Sequence, residues 1–198
     1  FLGTPMLAYS TMLFGHALAA AWLVLGLYAA LVAARARSRS RAVRAAAWAS
    51  AALGFAVLTE YPAVLPAACV ALGALAVARR PRWLAAGIPA ALVPLGLLLF
   101  HQYASFGSPF AIGYGHLQQS PFATGMSRGL FGIALPSAGA AVQLLFGTYR
   151  GLFVYAPVLV AAVMGFAWWP RAWRHLRLAL GAAAVTLWVV IAGYTYWQ

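Results

Sequence analysis

Six apolar stretches, at about 11–34, 43–59, 62–78, 83–103, 151–169 and 178–197, constrain this chain more than any other feature. A bilayer-spanning helix needs about 20 mostly apolar residues, so each stretch reaches or approaches that length. Only 7% of the residues are charged, against roughly 25% in an ordinary soluble domain. With 65% of residues hydrophobic, there is little polar surface to clothe a water-soluble fold. The fold class that follows is all-α: a polytopic transmembrane helix bundle of about six spans, occupying 1–198 as a single domain.

The arginines test this division. Arg35, Arg37, Arg39, Arg41 and Arg44 follow the first stretch; Arg79, Arg80 and Arg82 follow the third; Arg171, Arg174 and Arg177 follow the fifth. If the six stretches cross alternately, all three clusters fall on one side, which the positive-inside rule makes cytoplasmic. Eleven of the thirteen arginines are accounted for in this way, so a net charge of +12 gives no support to nucleic-acid binding. The absence of lysine and the abundance of alanine point to GC-rich coding and a bacterial inner membrane. Because the sequence starts at Phe1 and stops at Gln198 as an apolar stretch closes, we expect a longer polytopic protein. Cys69, the one cysteine, reads as a small buried hydrophobe.

The other side carries the chemistry. Glu60 is the only acidic residue, set in Leu58-Thr59-Glu60-Tyr61-Pro62 between the second and third stretches. An ionisable group at the end of a membrane segment is a functional candidate by default. The proline fits the first turn of the next helix, so the segment is expected to be a tight turn. Three roles stay open for Glu60: general base, metal ligand with His16, His101 or His116, or ion-pair partner of Arg150 or Arg128. No spacing signature supports a metal site, no cofactor is required, and a divalent metal stays an open possibility. The segment 104–150 is too long for a plain connector, and Ala138 to Tyr149 is apolar enough for a helix lying in the interface. Pro89 and Pro94 should loosen the fourth stretch, and Pro157 the fifth.

Arg150 breaks the positive-inside pattern within Gly147-Thr148-Tyr149-Arg150-Gly151. A guanidinium at that position can hold a phosphate by paired, charge-assisted hydrogen bonds, or simply snorkel to ordinary lipid headgroups. Tyr9 and His16 gather at the start of the first stretch, near Gly3-Thr4-Pro5. Together with Tyr61, Tyr149, His116 and Arg128 they complete the candidate binding set, and Glu60 is the catalytic candidate.

Five strings share an order and spacing with a known group. They are GTPxxxYSTxxFGHALAA at 3–20, LTEYPA at 58–63, FGSPxxxGY at 106–114, GLFGI at 129–133 and YRGLFxYAPVL at 149–159. Together they resemble bacterial GT-C glycosyltransferases of the protein-mannosyltransferase-like type. The resemblance implies transfer of a sugar from a polyprenyl-phosphate carrier to an acceptor on the outer face, with membrane lipid as the donor's surroundings. It implies an acidic residue in an earlier outer loop, upstream of residue 1, so Glu60 is not equated with the family's base. It also implies a carrier-phosphate contact for Arg150, with Arg128 beside it. The competing expectation is a transporter or lipid-binding membrane protein without chemistry.

Overall fold

The computed structural model describes residues 15–116, 120–126, 129 and 132–195, and these are helical apart from short connections and one isolated bridge. In chain order the α-helices are α1 (Gly15–Arg35), α2 (Arg39–Thr59), α3 (Val64–Val77), α4 (Pro81–Ala85) and α5 (Leu92–Phe106). Then follow α6 (Ser120–Met126), α7 (Ala138–Phe146), α8 (Leu152–Tyr155), α9 (Val158–Ala167) and α10 (Arg174–Ala192).

Helices α1 and α2 are each 21 residues long and form an antiparallel hairpin. The hydroxyl of Ser38 accepts from the Arg41 N–H at 3.4 Å and caps the start of α2. The buried stripes are made mostly of small residues: Ala19, Gly26, Ala30, Ala33 and Ala34 on α1, and Ala42, Ala46, Ala49, Ala52 and Ala56 on α2, where Leu53 packs against Gly26. Their spacing of three and four residues keeps each stripe on one helix face. Helix α10 runs along α3, and Gly73 abuts Ala179 so closely that a Cβ on Gly73 would collide with it.

Alanine dominates the interior. Among the described residues the other buried hydrophobic side chains are Leu53, Val70, Leu84 and Leu176. The bulky groups point outward instead, including Val24, Tyr28, Trp48, Leu72 and Phe100. This inversion suits a lipid surround. Tails are as apolar as leucine, so helix association there depends on close van der Waals contact between small residues.

Among the described residues, four helical segments are long and apolar enough to cross a membrane: Gly15–Arg35, Arg39–Thr59, Pro81–Phe106 and Arg174–Ala192. The third and fifth stretches give shorter helices, Tyr61–Val77 and Val158–Ala167. In the fifth, Ala156 leaves the helical region at φ −137° and ψ 65°, because the ring of Pro157 disfavours α geometry in the residue before it. The expected loosening at Pro89 is also present, as a 3-10 turn Ile88–Ala91 between α4 and α5. Pro94 sits in the first turn of α5, where its missing N–H costs nothing, and is fully buried.

The three arginine clusters come together at one end. The Arg79 N–H donates to the Ala34 carbonyl at 3.2 Å, and the Arg35 guanidinium lies 3.5 Å from the centre of the Trp173 ring. The opposite end holds the Glu60 turn and part of 104–150. There Ile133 bridges Tyr194, Ala134 N–H donates to Gly193 at 2.8 Å, and Thr195 N–H donates to Gly132 at 2.8 Å. Helix α7, expected within 138–149, is capped by Ser137 and pinned to α10 by the Trp188 indole N–H, which donates to the Ala141 carbonyl at 3.1 Å.

Candidate functional site at the Glu60 turn

Glu60 leaves α2 in an extended conformation, φ −147° and ψ 114°. Its N–H still donates to Ala56 at 2.9 Å, and its carbonyl accepts from Ala63 at 3.0 Å as the 3-10 turn Tyr61–Ala63 begins. The turn is therefore fixed at both ends, as the proline predicts.

The carboxylate points back across the hairpin. Oε1 of Glu60 lies 3.0 Å from Nδ1 of His16, with the glutamate side chain 25% exposed and the histidine 72% exposed. Glu60 is thus paired with an imidazole, and this corrects the expectation of an arginine partner in Arg150. Hairpin geometry is the reason, since helices of equal length about a short turn bring the start of α1 beside the end of α2. Gly15 makes the approach possible, because a Cβ at that position would collide with Oε1 of Glu60.

The next residue reaches the other way. The hydroxyl of Tyr61 accepts from Nε2 of Gln102 on α5 at 2.7 Å. Gln102 is only 3% exposed, and its Oε1 has no partner among the described residues. Sequence reasoning missed Gln102. The available signal was a glutamine inside an otherwise apolar stretch, where an amide needs partners that lipid cannot supply.

The remaining candidates are held by contacts of their own. Arg150 and Tyr149 are exposed, with the guanidinium 5.3 Å from the Tyr149 ring centre. Their turn is held by Gly151 N–H donating to Gly147 at 2.8 Å and by the Tyr155 hydroxyl donating to the Thr148 carbonyl at 3.0 Å. Among the described residues, no hydrogen bond or ion pair joins Arg150 to the Glu60 turn. His116 stacks on Phe106 at 4.5 Å between ring centres. Tyr9 and Arg128 lie outside the described residues.

Chemically, a carboxylate bonded to an imidazole is a proton-transfer pair. It can accept a proton from a hydroxyl brought against it and share the resulting charge. Among the described residues, no group of three His, Cys, Asp or Glu side chains lies close enough to hold a metal ion. Comparison with family models, curated proteins and solved structures returned no match.

Proposed function

We propose that this chain is part of a membrane glycosyltransferase that moves a sugar from a polyprenyl-phosphate carrier to a hydroxyl acceptor on the face opposite the arginines. The observation that carries the proposal is the placement of the one carboxylate in the sequence, paired with His16 at the end remote from the three arginine clusters. The resemblance of the LTEYPA and YRGLFxYAPVL strings to GT-C enzymes supplies the reaction class.

In this scheme all six apolar stretches cross the bacterial inner membrane, the shorter third and fifth helices completing their crossings with flanking residues. The arginine end is cytoplasmic. The donor resides in the bilayer, so no nucleotide-binding fold is called for. The acceptor oxygen attacks the anomeric carbon, the carbon–oxygen bond to the carrier phosphate breaks, and configuration inverts. The acceptor's proton passes to the Glu60–His16 pair, and the leaving group departs as polyprenyl phosphate. Arg150, with Arg128, stabilises the charge that grows on that phosphate.

The test uses the intact protein in proteoliposomes containing a polyprenyl-phosphate-linked hexose labelled in the sugar. Release of label from the lipid is followed for wild type and Glu60→Gln. Removing a general base typically costs about 10²–10⁴-fold in rate, so the variant should be nearly inactive at unchanged thermal stability. Equal turnover by the two proteins sinks the assignment of Glu60. Binding of the lipid without any turnover by wild type favours a lipid-binding protein instead.

A further inference from the structure

Helices that pack through alanine leave gaps that alanine is too short to fill. One such gap is an open cavity of about 80 Å³ between α1, α2, α3 and α4, lined by Ala33, Ala46, Leu53, Ala74 and Leu84 among others. Leu75 and Ile88 in its lining are exposed, so it opens to the surface beside them. Along α2 it runs from Ala46 to Leu53, about 10 Å at 1.5 Å per residue. Its walls are apolar and forgo dispersion contacts while it is empty. It is far too small to seat a helix about 10 Å across, but it takes a hydrocarbon chain laid along it. The cavity begins beside the arginines. Ala33 adjoins Ala34, whose carbonyl accepts from the Arg79 N–H at 3.2 Å, and Leu84 stands one turn along α4 from Arg80. The Arg35 guanidinium lies 3.5 Å over the Trp173 ring and that of Arg80 lies 5.1 Å over Trp83. A guanidinium laid on a ring keeps the N–H donors along its edge for another partner. Among the described residues no hydrogen bond or ion pair engages those side-chain donors. The sequence holds no counter-ion for them nearby, because its one acidic side chain, Glu60, lies at the other end.

We propose that this end binds an anionic phospholipid, with its phosphate held by the arginines around the Arg79–Ala34 bond, Arg35 and Arg80 foremost, and one acyl chain lying in the alanine-lined cavity. The site is remote from Glu60 and does not rest on the glycosyl-transfer function. Charge complementarity selects the occupant. A phosphate supplies the missing negative charge through charge-assisted hydrogen bonds, and basic pockets between membrane helices suit anionic headgroups. Its attached chain fills the apolar space next to it. Other occupants fit less well. A second copy of this chain would bring a like-charged end against this one. A peptide would carry N–H and C=O groups into a cavity where Ser50 is the one polar side chain to meet them. Free phosphate would leave the cavity empty.

The test titrates the intact protein, in a neutral detergent, with dioleoyl-phosphatidylglycerol, dioleoyl-phosphatidylcholine, dihexanoyl-phosphatidylglycerol and inorganic phosphate. An arginine near an anionic headgroup contributes about fivefold in affinity, so wild type should prefer the long-chain phosphatidylglycerol to the phosphatidylcholine roughly 25-fold. The double variant Arg35→Gln, Arg80→Gln should bind the two alike. Ser50→Leu fills the cavity from α2; it should weaken the long-chain phosphatidylglycerol severalfold and leave the short-chain one unchanged. Ala71→Leu fills the same cavity from α3 and serves if Ser50→Leu does not fold. Equal binding of both long-chain lipids by wild type overturns the proposal, since the lipid contact is then nonselective. An unchanged preference in the arginine variant overturns it as well. If filling the cavity leaves the long-chain lipid as tightly bound as before, the arginines only face an anionic surface and there is no lipid site. Inorganic phosphate bound as tightly as the lipid would reduce the site to an anion contact. A dimer that Ser50→Leu converts to monomer would make a second copy the occupant and sink the proposal.

Discussion

The contact between Glu60 and His16 is short at 3.0 Å, yet the histidine is mostly exposed, so its contribution to stability is small. Exposed ion pairs contribute about 0–1 kcal/mol. A double-mutant cycle with Glu60→Gln and His16→Gln should therefore give a coupling energy below about 1 kcal/mol in thermal unfolding, while turnover collapses in each single variant. A coupling of several kcal/mol would make the pair a structural clasp rather than a reactive group. Gly15→Ala probes the same contact from the backbone side. Alanine is the better helix former by about 1 kcal/mol, so stability should not fall. Its methyl group would displace the carboxylate from His16, and turnover should drop toward that of Glu60→Gln. Retained activity in Gly15→Ala would show that the site does not need this geometry. Arg150 is tested by affinity for polyprenyl phosphate, with a neutral prenol as control. Arg150→Ala should weaken phosphate binding roughly ten- to hundredfold, and Arg150→Lys less, because lysine keeps the charge but not the planar fork. Unchanged binding in Arg150→Ala would reduce the residue to a snorkelling anchor.

Between helices the decisive feature is how closely small residues allow backbones to approach. Gly73→Val forces a branched side chain into Ala179 and should separate α3 from α10. Overpacking of this kind costs about 1–3 kcal/mol, readable as a lower melting temperature in detergent. A variant as stable as wild type would mean that the α3–α10 contact is dispensable. Elements whose cause is local were legible in the sequence. The turn at Glu60-Tyr61-Pro62, the 3-10 interruption at Pro89, the break at Pro157 and the helix after Ser137 each follow from residues within a few positions. The site was less legible because its contacts are not local. Equal helix lengths of 21 residues about the connection 36–38 set Gly15 and His16 opposite Thr59 and Glu60, a register calculable in hindsight. Charge alone offers an arginine as readily as a histidine. Tyr61 and Gln102 are 41 positions apart and meet only because α5 packs beside α2, which no periodicity reveals. Even the lengths of the third and fifth helices depended on where α geometry stopped, not on how far the apolar composition ran.

Over the whole molecule, charge is sorted to the two ends. The turn after α1, the turn after α3 and the turn before α10, together with the helix ends beside them, hold eleven arginines and are linked by the Arg79–Ala34 hydrogen bond and the Arg35–Trp173 contact. Glu60 and His16 lie at the far end of the same α1–α2 hairpin, about 30 Å away for a 21-residue helix rising 1.5 Å per residue. That separation matches the hydrocarbon thickness of a bilayer, as the proposed topology, with one end at each aqueous side, requires. In the topology proposed above, the positive-inside rule retains the arginine end in the cytoplasm and presents the Glu60 end to the outside. Cysteine labelling in intact cells reads this directly. Cys69 on α3 is partly buried and is first replaced by alanine to remove background. Cysteines introduced at Ser38 and Arg80 should then be shielded from a membrane-impermeant thiol reagent until the cells are opened. A cysteine at Ser108, just past α5, should react at once. Reaction at Ser38 with protection at Ser108 would turn the molecule over and place Glu60 in the cytoplasm, away from any donor on the outer face. Equal reactivity at all three sites would show that the hairpin does not cross the membrane, and the sorting of charge would then need a different cause.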